Sequence, residues 1–382
     1  MGRRAKTWGS FLAALGFLVL WIGVGSSIVD RAKRKDFLNL YVGGTLAAEG
    51  RFPQLHNQAT QFAAQRRFDP DARELWPFVR PPFYAALLSW LPLFSFDAAF
   101  RLWLGLQIAV LLACWAWAAR ELGPSSVVWG GLFVPTALGV IHGQDCPLML
   151  AVAVASYHLL EKGKPGWAGA VLALSLYKFH LLLLFPLAVW VAGERRMLRA
   201  YLAAAAGLTA LSVALTGPAG IVSYLHLLTD GDLRGLHPSP ERTLSVFGLA
   251  ENLPGPHALT AAVGATATLA LALLAVRDAP RWRWFAAGLT ASLLAVPHVY
   301  AYDAGVLLLS VWLTLAYAET PAAKLAAALA ATPLPYLFSF GDGLQPAIPC
   351  LSLLALLSAL AWESVRAKPA VAPLARAAGA GM

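Results

Sequence analysis

Long runs of apolar residues recur along almost the whole chain, and they limit it to one class of fold. The first runs from Trp8 to Val29 and the next full-length one from Ala98 to Ala119. Others follow near 125–141, 145–160, 166–177, 181–193, 198–216, 258–276, 284–296, 303–318, 323–340 and 346–362. About 20 such residues cross a bilayer as a helix. Only 13% of the residues are charged, whereas soluble domains are near a quarter. The pattern predicts an all-α polytopic integral membrane protein with about twelve spans.

Charge orients it. Arg3, Arg4 and Lys6 precede the first run, which is longer than the core of a signal peptide and reads as a retained helix with its N-terminus in the cytoplasm. Asp30 to Pro82 is then a polar extracytoplasmic loop. Phe83–Phe94 is too short to cross and carries Pro92, so it reads as a helix lying at the interface. Ser95 and Asp97 read as the cap of the next helix. With that parity the short basic loops (Lys162 and Lys164; Arg195, Arg196 and Arg199; Arg277, Arg281 and Arg283) and the tail from Arg366 all fall inside, as the positive-inside rule requires. The expected organisation is one membrane domain over 1–365, with extracytoplasmic loops at 30–97 and 217–257 and a disordered cytoplasmic tail over 366–382. The net charge of +9 belongs to the cytoplasmic loops and does not indicate nucleic-acid binding.

The same alternation gathers the unusual polar residues on the outer side. Asp36 is either the cap of an amphipathic helix over Leu38–Ala48 or a general base at the membrane edge. Arg80, in Arg80-Pro81-Pro82, either snorkels to headgroups or meets a phosphate. His142-Gly143-Gln144-Asp145 reads as a helix break with Asp145 as a cap, or as part of a site with His142 and Gln144 touching sugar or acceptor. Lys178 and His180 have no acidic neighbour in sequence, which suits a phosphate partner; Arg242 is a similar candidate. Gly341-Asp342 falls on the same side. His298, Tyr300, Tyr302 and Asp303 form the densest polar-aromatic cluster, either a cap within an aromatic belt or a sugar site. Cys114, Cys146 and Cys350 have no metal-ligand or disulfide spacing. Phosphate-loop, dinucleotide-binding, zinc-protease and serine-hydrolase motifs are absent. An enzyme of this shape needs an activated substrate delivered within the membrane, and no cofactor is expected. A transporter or flippase of a lipid-linked or anionic solute is the rival, although no internal repeat supports it. A non-catalytic membrane subunit is a third reading.

Asp36-Phe37 with Tyr41, Arg80-Pro81-Pro82-Phe83, Gly143-Gln144, Lys178, and His298 with Tyr302-Asp303 resemble, in order and spacing, the membrane glycosyltransferases of family 87 (domain of unknown function 2029, GT-C superfamily). The resemblance runs from about residue 10 to 360. It implies a GT-C-like fold in a bacterial-type plasma membrane. It also implies a polyprenyl-phosphate sugar donor, typically mannose, and inverting transfer to a lipid or glycan acceptor on the outer face. Asp36 corresponds to the family's base and His298 to its late-loop histidine. Lys178, Arg80, Arg242 and His180 are then the donor-phosphate candidates. His298, Tyr300, Tyr302, Asp303, Gln144, His142 and Tyr41 are the sugar and acceptor candidates.

Overall fold

The computed structural model describes residues 3–229, 240–341 and 343–366. Asp342, the tail from Lys368 and the middle of the 217–257 loop lie outside them. All regular structure among the described residues is helical. Helix α1 (Arg3–Ala32) passes through a π-helical turn (Lys33–Phe37) into α2 (Leu38–Ala48). The first loop adds α3 (Gln58–Phe68) and α4 (Pro82–Leu88), and α5 (Phe96–Glu121) follows. Next come α6 (Ser125–Leu132), α7 (Val134–Ile141), α8 (Cys146–Glu161) and α9 (Pro165–Leu172). Helix α9 runs on as a 3₁₀ segment (Ala173–Leu182) before α10 (Phe185–Val191) and α11 (Arg195–Thr229). The last third holds α12 (Val246–Asn252), α13 (His257–Val276), α14 (Arg281–Leu294), α15 (Leu308–Tyr317), α16 (Pro321–Ala331), α17 (Leu334–Leu337) and α18 (Ile348–Arg366).

Among the described residues, five helices are long and apolar enough to cross a membrane: 5–25 within α1, then α5, α11, α13, and the 345–366 stretch ending in α18. The segment Pro165–Leu182 with α10 makes a sixth if this pair, bent by 113°, is one span. The twelve expected spans are therefore not twelve long helices. Pro135 and Pro147 open α7 and α8, and proline ends an upstream helix because it lacks an N–H and clashes with the preceding turn. Several other apolar runs are short helices buried among their neighbours, α14 and α15 above all. Helix α11 also differs from expectation. It departs from helical geometry at Gly217, before Pro218, yet continues to Thr229 where a loop was expected.

Helix α2 is buried on nearly every side rather than amphipathic. Gly44 explains how it packs so closely: a Cβ there would lie 2.4 Å from the Leu88 carbonyl oxygen of α4. Beside it, α3 holds the irregular segment 76–80 by its backbone. The Gln61 amide accepts from Phe78 N–H at 2.7 Å and donates to the Phe78 and Leu55 carbonyls at 3.2 and 2.8 Å. One turn on, Gln65 accepts from Trp76 N–H at 3.1 Å and donates to its carbonyl. Two glutamines four residues apart share a helix face, so they serve alternate residues, Trp76 and Phe78, of an irregular segment. His56 completes the brace. Its Nε2 lies 2.9 Å from the Arg80 carbonyl, and its ring packs at a tilt of 31° against Tyr224 of α11, centroids 4.3 Å apart.

Burial pushes the His56 imidazole down to about 4, against a smaller upward pull from the Arg80 carbonyl. The folded value lies below the unfolded one, near 6.5, so the fold favours neutral His56. Its contribution is complete above about pH 6.5 and is lost as pH falls towards 4, an effect on the order of 3 kcal/mol. Thermal unfolding in detergent should show stability falling more steeply between pH 7 and 5 in the native protein than in His56→Asn; equal slopes would contradict this.

Candidate active site

A cavity of about 370 Å³ opens among helix ends and connections. Lys35, Asp36, Asn39, Trp76, Pro77, Val79 and Arg80 line it from the first loop. The rest of its wall is Leu138, His142, Gln144, Lys178, His180, Arg242, His298, Tyr300, Ala301, Tyr302, Asp303 and Ser339. Eleven of the twelve residues expected at the site therefore meet in one place. Tyr41 does not. Its ring packs edge-on against Phe68 and Phe96, and its hydroxyl donates to the Phe94 carbonyl at 2.8 Å. An aromatic residue in a helix buried on nearly every side is taken up by packing.

Along the cavity wall runs an alternating line of buried charge, of which Arg80, Lys178 and Asp303 line the cavity itself. Arg80 donates to both oxygens of Asp145, Nε at 3.1 Å and Nη2 at 3.2 Å. Lys178 Nζ lies 3.0 Å from the Asp145 carboxylate and 2.8 Å from that of Asp303. The second oxygen of Asp303 accepts from the Tyr300 N–H at 3.1 Å. Two cations and two carboxylates cancel, which is what makes their burial tolerable: a lone buried charge costs several kcal/mol, whereas a hydrogen-bonded set offsets much of that. Asp145 and Asp303 are thus counter-ions, and Asp145 makes no side-chain cap on α8. Lys178 does have acidic partners, although both are distant in sequence. It sits where the 3₁₀ segment departs from helical geometry, φ −128° and ψ 55°.

Asp36 occupies the π-helical turn, a deviation that often marks functional sites. The Phe37 position that opens α2 carries no side-chain cap bond. The Asp36 carboxylate instead faces His142 Nδ1 at 2.8 Å through Oδ2 and accepts from Gln144 Nε2 at 2.8 Å through Oδ1. The Gln144 Oε1 in turn accepts from Lys178 at 3.2 Å and Arg80 at 3.4 Å. Between them, Gly143 adopts φ +64°, and a Cβ there would lie 3.0 Å from the Phe100 ring. Its carbonyl accepts from Trp103 Nε1 at 2.9 Å. The four residues 142–145 thus join Asp36 to the buried charges.

A row of rings continues the wall from His142. His180 and His298 have centroids 6.1 Å apart, His298 and Tyr300 4.9 Å, Tyr300 and Tyr302 5.8 Å, and Tyr302 and His142 5.3 Å. Arg242 is tied to this wall, since Leu244 N–H donates to the Val299 carbonyl at 2.8 Å. Arg242 is exposed, and no ion pair joins it to an acidic side chain among the described residues. Lys35 lies over the Trp76 ring at 4.0 Å, with Glu74 3.6 Å away. Ser339, which no motif singled out, lines the cavity with a buried hydroxyl that has no hydrogen-bond partner among the described residues. No group of three or more His, Cys, Asp or Glu side chains placed to hold a metal ion occurs among the described residues.

The profile of glycosyltransferase family 87 matches residues 78–297, more than half of the chain. That stretch contains Arg80, the 142–145 connection, Lys178, His180 and Arg242, and it ends one residue short of His298. Asp36 and Ser339 lie outside it and reach the site through the fold. No curated protein and no solved structure matches the chain.

Replacing Lys178 by Met would leave Asp303 with much of its charge unmatched, and breaking such a pair typically costs about 3–5 kcal/mol. Lys178→Met with Asp303→Asn should be clearly more stable than the sum of the two single changes predicts, by unfolding in a double-mutant cycle. Simple additivity would mean that the two side chains are not coupled.

Proposed function

The chain belongs to glycosyltransferase family 87 and is a membrane glycosyltransferase; on that footing we propose that it moves a hexose, mannose in our reading, from a polyprenyl-phosphate donor to a lipid or glycan acceptor. Transfer inverts the anomeric carbon and takes place on the extracytoplasmic face, with both termini cytoplasmic. A GT-C-like architecture accords with the helical fold, and the basic short loops support the orientation. Family membership also favours transfer over transport.

One observation carries the chemistry: an accessible carboxylate and an exposed guanidinium face the same cavity, with aromatic rings between the elements that hold them. In the proposed reaction Asp36 takes the proton from the acceptor hydroxyl. The hydroxyl oxygen attacks the anomeric carbon in line, and the bond to the lipid phosphate breaks with its electron pair going to the phosphate. Arg242 and His180 receive the donor phosphate. Arg80 and Lys178 contribute less to that charge than their type suggests, because Asp145 and Asp303 already neutralise them. Tyr300 and Tyr302 offer ring faces to the sugar, and His298 a hydrogen bond. The donor carries its own activation in the sugar–phosphate bond and Asp36 activates the acceptor, so the proposal needs no cofactor, and no step involves a nucleic acid.

Protein in lipid vesicles, given radiolabelled polyprenyl-phosphate mannose and a membrane lipid extract, should form a labelled product. Asp36→Asn should reduce this by at least about 100-fold, the lower range for a positioned base. Arg242→Ala should raise the donor KM about 10-fold or more. Transfer by Asp36→Asn at the native rate would remove the base, and an unchanged KM in Arg242→Ala would remove the phosphate seat.

A further inference from the structure

The reading above makes Asp36 the base, and the geometry shows how such a base would be aimed. The Gln144 amide has a fixed direction. Its oxygen receives two cationic donors, Lys178 and Arg80, and an amide nitrogen cannot accept from either. Its NH₂ therefore faces Asp36 and donates to Oδ1. The His142 tautomer follows from the same argument. An ionised carboxylate offers only lone pairs, so at 2.8 Å from Oδ2 the Nδ1 atom carries the hydrogen. The ring is held from the side by Tyr302, and the following residue is fixed by its positive φ and its bond to Trp103.

Each Asp36 oxygen thus spends one lone pair on a donor. A carboxylate has about four such positions, and Asp36 remains 21% exposed in the cavity wall. We infer that His142 and Gln144 are positioning residues for Asp36, clamping one lone pair on each oxygen so that the others face the acceptor hydroxyl. His142 then acts through its Nδ1–H, and its contribution to the sugar or acceptor is secondary. The inference depends on Asp36 serving as the base of a glycosyl transfer. It assigns the His-Gly-Gln connection a role that packing alone would not require, because Nδ1 would be satisfied equally well by water at a partly exposed position.

The test separates aiming from structure and from the reaction. His142→Ala should lower kcat about 10–100-fold, as misplacement of a reacting group by about 1 Å does, with the donor KM changed by less than about 3-fold. His142→Asn places an amide N–H close to where Nδ1 stands and should recover most of that loss. A kcat in His142→Ala equal to the native value would overturn the inference. So would His142→Asn as inactive as His142→Ala, because the imidazole itself would then be required. A second readout needs no turnover: in protein with ¹⁵N-labelled histidine, Nδ1–H of His142 should give a low-field proton signal that disappears in Asp36→Asn. Absence of that signal in a protein that transfers sugar would refute the pairing alone. Its presence in a protein that transfers no polyprenyl-phosphate sugar would leave the pairing intact and refute the base it is meant to aim.

Discussion

The line Arg80–Asp145–Lys178–Asp303 is the interaction on which the site depends. Its members come from the first loop, the start of α8, the break in the 3₁₀ segment and the turn before α15. Removed from water singly, each would carry a prohibitive cost; joined in alternation, they cancel. Satisfying them requires four separate stretches of chain to meet at one point. Gln144 then carries the order outwards from the charges to Asp36. The buried line thus holds the cavity wall together, and its cations are largely committed before a substrate arrives.

That commitment divides the positive groups into two kinds. Arg80 and Lys178 are structural in the first instance and add a partly screened field. Arg242 stands at the rim with no acidic side chain paired to it among the described residues, and it can give its full charge to an incoming anion. The glutamine clamps on Trp76 and Phe78 and the His56 brace under Arg80 serve the same end from the loop side. They hold an irregular segment as firmly as a sheet would, so Arg80 presents its guanidinium from a fixed backbone.

Much of this could be read from the residues, because a polar group in so apolar a chain stands out. Asp36, Arg80, Lys178, Arg242 and the 298–303 cluster were legible as exceptions, and helix parity put them on one side. Partnership was not legible. Lys178 finds Asp303 at 125 positions' distance and Asp36 finds Gln144 at 108, and no local pattern encodes such pairs. Asp145 was therefore read as a possible cap when it is a counter-ion. Nothing in the sequence singles out Gln61 and Gln65, since bonding the backbone of a neighbouring segment leaves no trace in composition. Tyr41 enters the expected set only through the resemblance, and its ring is taken up by packing against Phe68 and Phe96 instead. About twelve spans are expected from hydropathy, whereas five or six helices among the described residues are long enough to cross alone, because hydropathy does not distinguish a long helix that faces lipid from a short one enclosed by other helices.

The most direct test is a structure determined by electron microscopy with a non-transferable polyprenyl-phosphate sugar bound. The account predicts the phosphate within hydrogen-bonding reach of Arg242, the sugar between Asp36 and the Tyr300–Tyr302 rings, and the Arg80–Asp145 and Lys178–Asp303 pairs intact. A phosphate seated directly on Lys178 or Arg80 with those pairs broken, or a donor bound away from this cavity, would contradict it.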